Sequence, residues 1–161
     1  MKLVSGFAAI AALVAPLNLS ATPADDQFQK LANDYIEDRL RTYPEDATEL
    51  GDHRFDDKLT DYSIEARTKE LAAQKAFLAK LNAFKDSAQL TGPNSVDFRI
   101  LKENVEGEIF SLEELKSADW NPLVYNQSLA NGLYPLIARE FAPPEERIPN
   151  IRMSENYAGL S

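Results

Sequence analysis

The sequence predicts an all-α fold, with about five amphipathic helices in an irregular bundle. Apolar residues recur at spacings of three and four over long stretches, which is the period of a helix. No alternating run is long enough to predict a strand, and proline and glycine separate the helical stretches. With 161 residues, 44% of them hydrophobic, the chain can bury one moderate core. We therefore expect one domain, or part of one.

Residues 1–24 have the features of a secretory signal peptide. One lysine precedes an uncharged run over residues 3–17, and small and polar residues follow it. The run is shorter than the about 20 apolar residues that span a membrane. Cleavage after Ala21 or after Ala24 fits best, although Leu19 is bulky for the first site and Pro23 is awkward for the second. A buried N-terminal helix is the alternative interpretation.

The composition restricts where the chain acts and what it binds. It has no cysteine, so it has neither a disulfide framework nor the lipid-modified cysteine of a bacterial lipoprotein. We therefore expect a periplasmic or secreted protein that is free of the membrane once the signal is removed. Its 26 carboxylates outnumber 17 lysines and arginines, and the two signs are interleaved. Nucleic acid is not expected as a partner, because binding it requires a basic face.

Asp25 or Asp26 can cap the first helix, which stops before Pro44. A short segment, residues 45–50, follows and ends at Gly51, which we expect to adopt a positive φ. The apolar stripe of the first helix comprises Phe28, Leu31, Ala32, Tyr35, Ile36, Leu40 and Tyr43.

Two long helices are predicted next. Ser63 is a natural N-cap for a helix that runs to about Phe84. After the breaker cluster at residues 89–94, Asn94 or Ser95 caps the following helix. The two apolar stripes comprise Leu71, Phe77, Leu78, Leu81 and Phe84, and then Phe98, Leu101, Val105, Ile109 and Leu112.

The C-terminal third is less regular. Residues 111–114 have the form of a capping box, so the helix either restarts there or continues to Lys116. A further helix is predicted over residues 126–141, with a kink or break before Pro135. Another helix starts at Pro144. The helical pattern then dissolves, and residues 153–161 form a divergent tail, as if the chain were an incomplete part of a larger helical fold.

Three aromatic residues flank the 126–141 helix or lie within it, namely Trp120, Tyr125 and Tyr134. They could line an aromatic pocket. Packing in the core is the favoured interpretation.

The only histidine, His53, lies in an acidic stretch, but the sequence predicts no metal site. A zinc site usually needs three protein ligands. Glu49 and His53 have the i, i+4 spacing, yet Gly51 lies between them and interrupts a helix. The acidic run at residues 56–61 lacks the alternation and the glycine of a calcium-binding EF-hand loop. We expect His53 to hydrogen-bond a carbonyl or a carboxylate.

Other catalytic constellations are equally weak. The chain has no G-x-S-x-G elbow and no glycine-rich phosphate loop. The carboxylate pairs Glu103/Glu106 and Glu113/Glu114 could act as acid and base, but at helical spacing on a polar face they are typical of solvated surface. The sequence therefore assigns no catalytic residue and no metal ligand.

Several segments together resemble a known bacterial family. A helix of the form F-x-x-L-x-x-x-Y at Phe28–Tyr35 precedes P-E-x-A-T-x-L-G-D-H-R-F-D-D-x-L-x-D at Pro44–Asp61. D-F-x-I-L at residues 97–101, W-N-P-L-x-Y at residues 120–125 and P-P-E-E-R at residues 143–147 follow. This order is similar to the N-terminal region of the bacterial domain-of-unknown-function 885 (DUF885) family, which are exported proteins similar to zinc metallopeptidases.

The resemblance implies a mostly helical fold whose zinc site lies far downstream, in an H-E-x-x-P-G-H-type motif with a later glutamate. None of those residues occurs in this chain, so peptidase activity is assigned to none of its positions. Zinc is expected only in full-length relatives, and none is expected in this chain. The chain corresponds to the N-terminal helical region, residues 25–152, and its end suggests a truncated product.

Three hypotheses follow. The first is a non-catalytic helical portion of a metallopeptidase-like protein, whose partner is the missing C-terminal portion. The second is a small, self-sufficient periplasmic helical protein that binds a peptide or protein partner. The third, a stand-alone enzyme, needs a site assembled by oligomerisation. In each case the stretch Asp52, His53, Arg54, Phe55 and Asp56 is the candidate for groove-lining or loop-anchoring residues.

Overall fold

The computed structural model describes residues 22–147 and 149–150, so most of the predicted signal peptide and the tail at 153–161 lie outside the described residues. All regular structure in the described part is helical, which confirms the all-α prediction. The helices are α1 (Pro23–Thr42), α2 (Pro44–Glu49), α3 (Ile64–Ala83), α4 (Gly92–Phe110), α5 (Ser117–Trp120) and α6 (Leu123–Ala138). Residues 144–147 and 149–150 are also helical. None of the described helices has the length and apolar character needed to cross a bilayer.

The predicted N-cap at Asp25 or Asp26 is wrong: helix α1 begins at Pro23, and its N-cap is Thr22. The Thr22 hydroxyl accepts a hydrogen bond from the Asp25 backbone N–H (3.1 Å), and the Asp25 carboxylate accepts one from the Thr22 backbone N–H (2.7 Å). This reciprocal arrangement is a capping box. At the other end, Tyr43 (φ −121°, ψ 77°) leaves the helical conformation before Pro44, where the sequence predicts that the helix stops.

The same carboxylate joins α1 to α4. Asp25 accepts hydrogen bonds from the backbone N–H of Thr91 (3.0 Å), the hydroxyl of Thr91 (2.8 Å) and the amide of Asn94 (2.8 Å). Asp25 is fully buried, and the hydrogen bonds from Thr22, Asn94 and Thr91 hold the pKa of its carboxyl group well below the ordinary value. The predicted N-cap at Asn94 or Ser95 is wrong. Helix α4 starts at Gly92, and its N-cap is Thr91. The Asn94 side chain donates its hydrogen bond to the Asp25 carboxylate instead of capping the helix.

The core lies between α1, α3 and α4, where the predicted stripes meet. Near the start of α1, Phe28 packs against Phe98 and Phe84, with ring centroids 5.7 and 6.4 Å apart. Further along, Tyr35 packs on Phe77 with centroids 4.6 Å apart. The buried residues of this second cluster are Tyr35, Phe77, Leu81 and Val105.

Helix α6 lies against α2 on the other side of the molecule. The buried carboxylate of Glu45 accepts hydrogen bonds from the backbone and hydroxyl of Thr60 (3.0 and 2.6 Å) and from the hydroxyl of Ser128. Gly132 of α6 lies so close to Leu59 that a Cβ atom there would be 2.3 Å from a Leu59 methyl carbon. These contacts fix α6 against α2 and the loop at residues 58–63.

Several local predictions are confirmed. The Ser63 hydroxyl caps α3 by accepting a hydrogen bond from Ala66, and Gly51 has a φ of +87°. After α4 the chain continues helically through a π-turn at Ser111–Leu115, so continuation is the alternative that the structure adopts. Lys116, with a φ of +47°, ends this turn and is followed by α5.

The bounds predicted for α6 are wrong: the helix begins at Leu123 and ends at Ala138. It continues through Pro135, so there is no break before this proline. Pro135 and Leu136 are both buried, so packing holds the last turn in place despite the missing N–H. The aromatic residues are not core residues either: Trp120 and Tyr134 are each 68% exposed and Tyr125 is 42% exposed.

We expect Leu81→Ala to lower the free energy of unfolding by about 2–5 kcal/mol, because it removes a side chain that is almost wholly buried between three helices. Chemical denaturation measures the change. The control Ile64→Ala, at an exposed position of the same helix, should change this free energy by less than about 0.5 kcal/mol. Equal effects of the two substitutions would contradict the assigned core.

Candidate functional site

The five candidate residues, Asp52 to Asp56, lie in a loop that contains a 3₁₀ turn at His53–Phe55. The buried carboxylate of Asp56 accepts a hydrogen bond from the hydroxyl of Thr48 in α2 (2.7 Å) and lies 2.9 Å from Nδ1 of His53. This carboxylate therefore ties both ends of the turn to α2.

The histidine ring also contacts the C-terminal part of the chain. His53 stacks on Phe141, with ring centroids 3.8 Å apart and an interplanar angle of 12°. The loop of residues 50–63 is thereby joined to the segment that follows α6. On the inner side, Phe55 is buried with Leu40 and Ala47.

Arg54 makes the outward contacts of the turn. Its guanidinium donates hydrogen bonds to both carboxylate oxygens of Glu37 in α1 (3.1 and 2.9 Å) and to Asp52. The hydrogen bonds to Asp52 and Glu37 raise the pKa of Arg54 and lower the pKa values of the two acids. All five candidate residues thus have a local structural partner or a buried position in the loop.

A cavity of about 970 Å³ lies beside this loop, between α1, α3, the end of α4 and α6. It is large enough for a short peptide or a small molecule. Its lining mixes both charges with tyrosines. The charged and aromatic lining residues are Asp38, Arg41, Tyr43, Lys58, Asp61, Tyr62, Arg67, Lys69, Glu70, Glu108, Lys116 and Tyr125.

Two carboxylates of the cavity wall are held by neighbouring side chains. Glu70 is buried and accepts a hydrogen bond from the amide of Gln74 (2.6 Å). Burial raises the pKa of the Glu70 carboxyl group, and the Gln74 hydrogen bond opposes that shift. Glu108 accepts a hydrogen bond from the Tyr43 hydroxyl (2.9 Å), and burial, followed by the charge of Glu108, raises the pKa of that phenol far above its ordinary value.

The sequence interpretation missed Glu70. A signal for it exists, because Glu70, Gln74, Phe77 and Leu81 follow one another at helical spacings of four, three and four. Glu70 and Gln74 therefore lie on the same side of the helix as the apolar residues, a pattern that predicts buried polar side chains. By contrast, both predicted carboxylate pairs lie where the sequence placed them, on the surface: Glu103 and Glu114 are exposed, and Glu113 forms an ion pair with Lys75.

Within the described residues, no group of three or more histidine, cysteine, aspartate or glutamate side chains is arranged to hold a metal ion. His53 and Asp56 lie next to one another, but two side chains are fewer than a metal site usually needs. Phe141 also covers one face of the imidazole. The fold and the loop together define a helical protein in which the motif-rich stretch is packed into the scaffold and a polar cavity lies next to it.

The chain belongs to the DUF885 family of bacterial proteins of unknown function. The family model matches residues 44–156, well over half of the 161 residues. The match includes the loop and the residues that form α2 to α6, whereas the Phe28–Tyr35 segment of α1 precedes it. Comparisons with curated proteins and with solved structures gave no match.

We expect His53→Ala to leave the zinc content of the purified protein unchanged at zero, since the imidazole is used in the contacts with Asp56 and Phe141. The substitution should instead make the chain near Phe141 more susceptible to proteolysis. Metal analysis and limited proteolysis measure the two effects. His53→Gln, which keeps a hydrogen-bonding group, is the matched variant. A stoichiometric metal that is lost on substitution would overturn this assignment.

Glu70→Gln should raise the thermal midpoint at pH 7. A carboxyl group whose pKa is higher in the folded chain than in the unfolded chain destabilises the folded state above that pKa. This penalty disappears as the pH falls towards about 4, where the unfolded-state glutamate is protonated. The difference between variant and parent should therefore shrink between pH 7 and pH 4. Thermal unfolding across this range measures it.

The control for this experiment is Glu103→Gln, at an exposed position of α4. It should leave the pH dependence of the midpoint close to that of the parent. A Glu70→Gln protein that is less stable than the parent at pH 7 would show that ionised Glu70 stabilises the fold, contrary to this interpretation.

Proposed function

We propose that this chain is the non-catalytic, N-terminal helical portion of an exported protein similar to zinc metallopeptidases. In this proposal a separate or longer polypeptide supplies the portion with the zinc motif, and the present chain forms one wall of the substrate groove. The proposal needs zinc only in the complete protein. Family membership supports it, and one feature of α6 carries it.

Helix α6 has no charged residue along its 16 positions. Three of its large apolar residues nevertheless point outward: Leu123, Tyr134 and Ile137 are 65%, 68% and 65% exposed. At 3.6 residues per turn, they fall within about 60° of one another around the helix axis. We call this stripe the α6 face. Large apolar side chains that are exposed together on one side of a helix have the character of a contact surface.

A further exposed aromatic residue lies shortly before α6 in the chain. Trp120, in α5, is 68% exposed, and α5 packs against α6. Tryptophan and tyrosine are the residues that contribute most often to the centre of protein interfaces. A partner that covers the α6 face would bury aromatic and aliphatic side chains together. This composition suits a large, permanent contact of the kind found within one fold.

The purified chain should bind a hydrophobic dye, and the double substitution Tyr134→Ser/Ile137→Ser should remove most of the signal without loss of helix content. Ile64→Ser is the matched control, because Ile64 is equally exposed but lies on α3. It should leave dye binding nearly unchanged. A parent chain that unfolds in one sharp transition and binds no dye would overturn the proposal.

The direct test uses the C-terminal portion of a full-length relative as the partner. The two polypeptides should form a one-to-one complex, and the double substitution in the α6 face should weaken it by roughly tenfold or more, because burying one such side chain contributes about 1.5–3 kcal/mol. Zinc-dependent peptide hydrolysis should be found only in the complex. Binding that is insensitive to the α6 face would contradict the proposed contact.

The cavity of about 970 Å³ favours a second candidate function, a self-sufficient periplasmic protein that binds a peptide. Its mixed charges and tyrosines suit a peptide with charged and polar side chains. This candidate predicts saturable binding of peptides by the chain alone. Under the first proposal, the same wall residues contact substrate only in the complete protein, so peptide binding by the isolated chain separates the two.

A further inference from the structure

Asp25 is a buried negative charge whose identified hydrogen-bond donors are all neutral. Its side chain is fully buried and accepts five hydrogen bonds, two from Thr22, two from Thr91 and one from Asn94. No ion pair to Asp25 is found among the described residues. A buried charge is normally paired with an opposite charge, so this carboxylate lacks the usual compensation.

The nearest donor is a backbone nitrogen close to the predicted end of the signal peptide. The Thr22 nitrogen lies 2.7 Å from Oδ2 of Asp25, and Thr22 is only partly buried. If the peptide bond before Thr22 is cut, this same nitrogen becomes an α-ammonium group. The new positive charge then lies within hydrogen-bond distance of the buried carboxylate, and no rearrangement is needed.

The two sites that the sequence allows differ sharply in their structural consequences. Cleavage after Ala24 removes Thr22, the N-cap of α1, with its two hydrogen bonds to Asp25. It also removes Ala24, which is 3% exposed and packs with Phe28 and Leu90 in the core. Cleavage after Ala21 keeps the capping box, the helix start and the core intact.

We propose that maturation hydrolyses the Ala21–Thr22 peptide bond and that the α-ammonium group of Thr22 then forms an ion pair with the carboxylate of Asp25. The proposal rests on the predicted export of the chain. A signal peptidase adds one water: the carbon–nitrogen bond breaks, the hydroxyl joins the Ala21 carbonyl carbon and a proton goes to the Thr22 nitrogen. At neutral pH Ala21 leaves as a carboxylate and Thr22 remains as an ammonium.

Processing then strengthens a contact that already exists. The bond from the neutral Thr22 N–H to the carboxylate is already charge-assisted. Cleavage adds a full positive charge to the donor, so the Coulomb attraction between two opposite charges is gained at hydrogen-bond distance. Because the same carboxylate also holds Thr91 and Asn94, the gain stabilises the junction of α1 with α4. The mature chain with a charged Thr22 amine is therefore more stable than the same chain with a neutral one.

The first test expresses the full 161-residue chain in a bacterium with a secretory pathway and analyses the exported product by N-terminal sequencing and intact mass. We expect the mature chain to begin at Thr22. A product that begins at Asp25, or at any other residue, overturns the proposed site. A product that keeps its N-terminus at Met1 overturns the export prediction as well, so the two failures are distinguishable.

The second test measures the ion pair. Two forms of the mature chain are compared by thermal unfolding, one with a free Thr22 amine and one with that amine acetylated, which keeps an N–H but removes the charge. The free-amine form should have the higher midpoint, and high salt should change the difference little, because the pair is partly buried. Equal midpoints would overturn the ion pair, and this comparison needs no substitution at Asp25.

The third test replaces the Asp25 carboxylate and so completes a double-mutant cycle with the Thr22 amine. Asp25→Asn should abolish the difference between the free and acetylated forms, whereas the neighbouring exposed change Asp26→Asn should preserve it. A difference that persists in Asp25→Asn would place the partner of the amine elsewhere and contradict the proposal.

Discussion

The carboxylate of Asp25 is the contact on which the rest of the fold depends most. A charge with no access to water must have its lone pairs satisfied, and here the donors come from the starts of two helices far apart in sequence. Satisfying the carboxylate therefore fixes where α1 and α4 begin relative to one another. That register places Phe28 on Phe98, and α3 then closes the remaining side of the core.

A second set of contacts organises the opposite side. Asp56, His53 and Glu45 hold the loop, α2 and α6 through hydrogen bonds and one ring stack. The stretch that carries the family resemblance is thus used to assemble the scaffold, and the cavity is the space left between this assembly and the three-helix core. Its wall includes Glu70, whose pKa is raised by burial, which distinguishes the wall from an ordinary solvated surface.

Prediction from sequence succeeded where a local signal determines the local structure, as for the cap at Ser63 and the positive φ of Gly51. It failed where a contact with a residue far away in the sequence determines the local structure. Asn94 has the pattern of an N-cap, but its amide binds a carboxylate 69 residues away. The exposed face of α6 was also missed, because periodicity shows that a helix has an apolar side without showing what covers it. In the cavity wall, the helical spacing of Glu70 to Gln74 and Phe77 indicates which side of α3 it lies on. Whether the Glu70 side chain is buried, however, depends on how α1 and α4 pack against that side.

Gly132 gives the cavity a defined width. Since Leu59 lines the cavity and lies against Gly132, the absence of one methyl group lets α6 approach the loop as closely as it does. In a relative with any larger residue at this position, Leu59 must turn away or the helix must move outward, and the opening beside it changes shape. The absence of a side chain at one backbone position thereby helps to set the shape of the space beside α6.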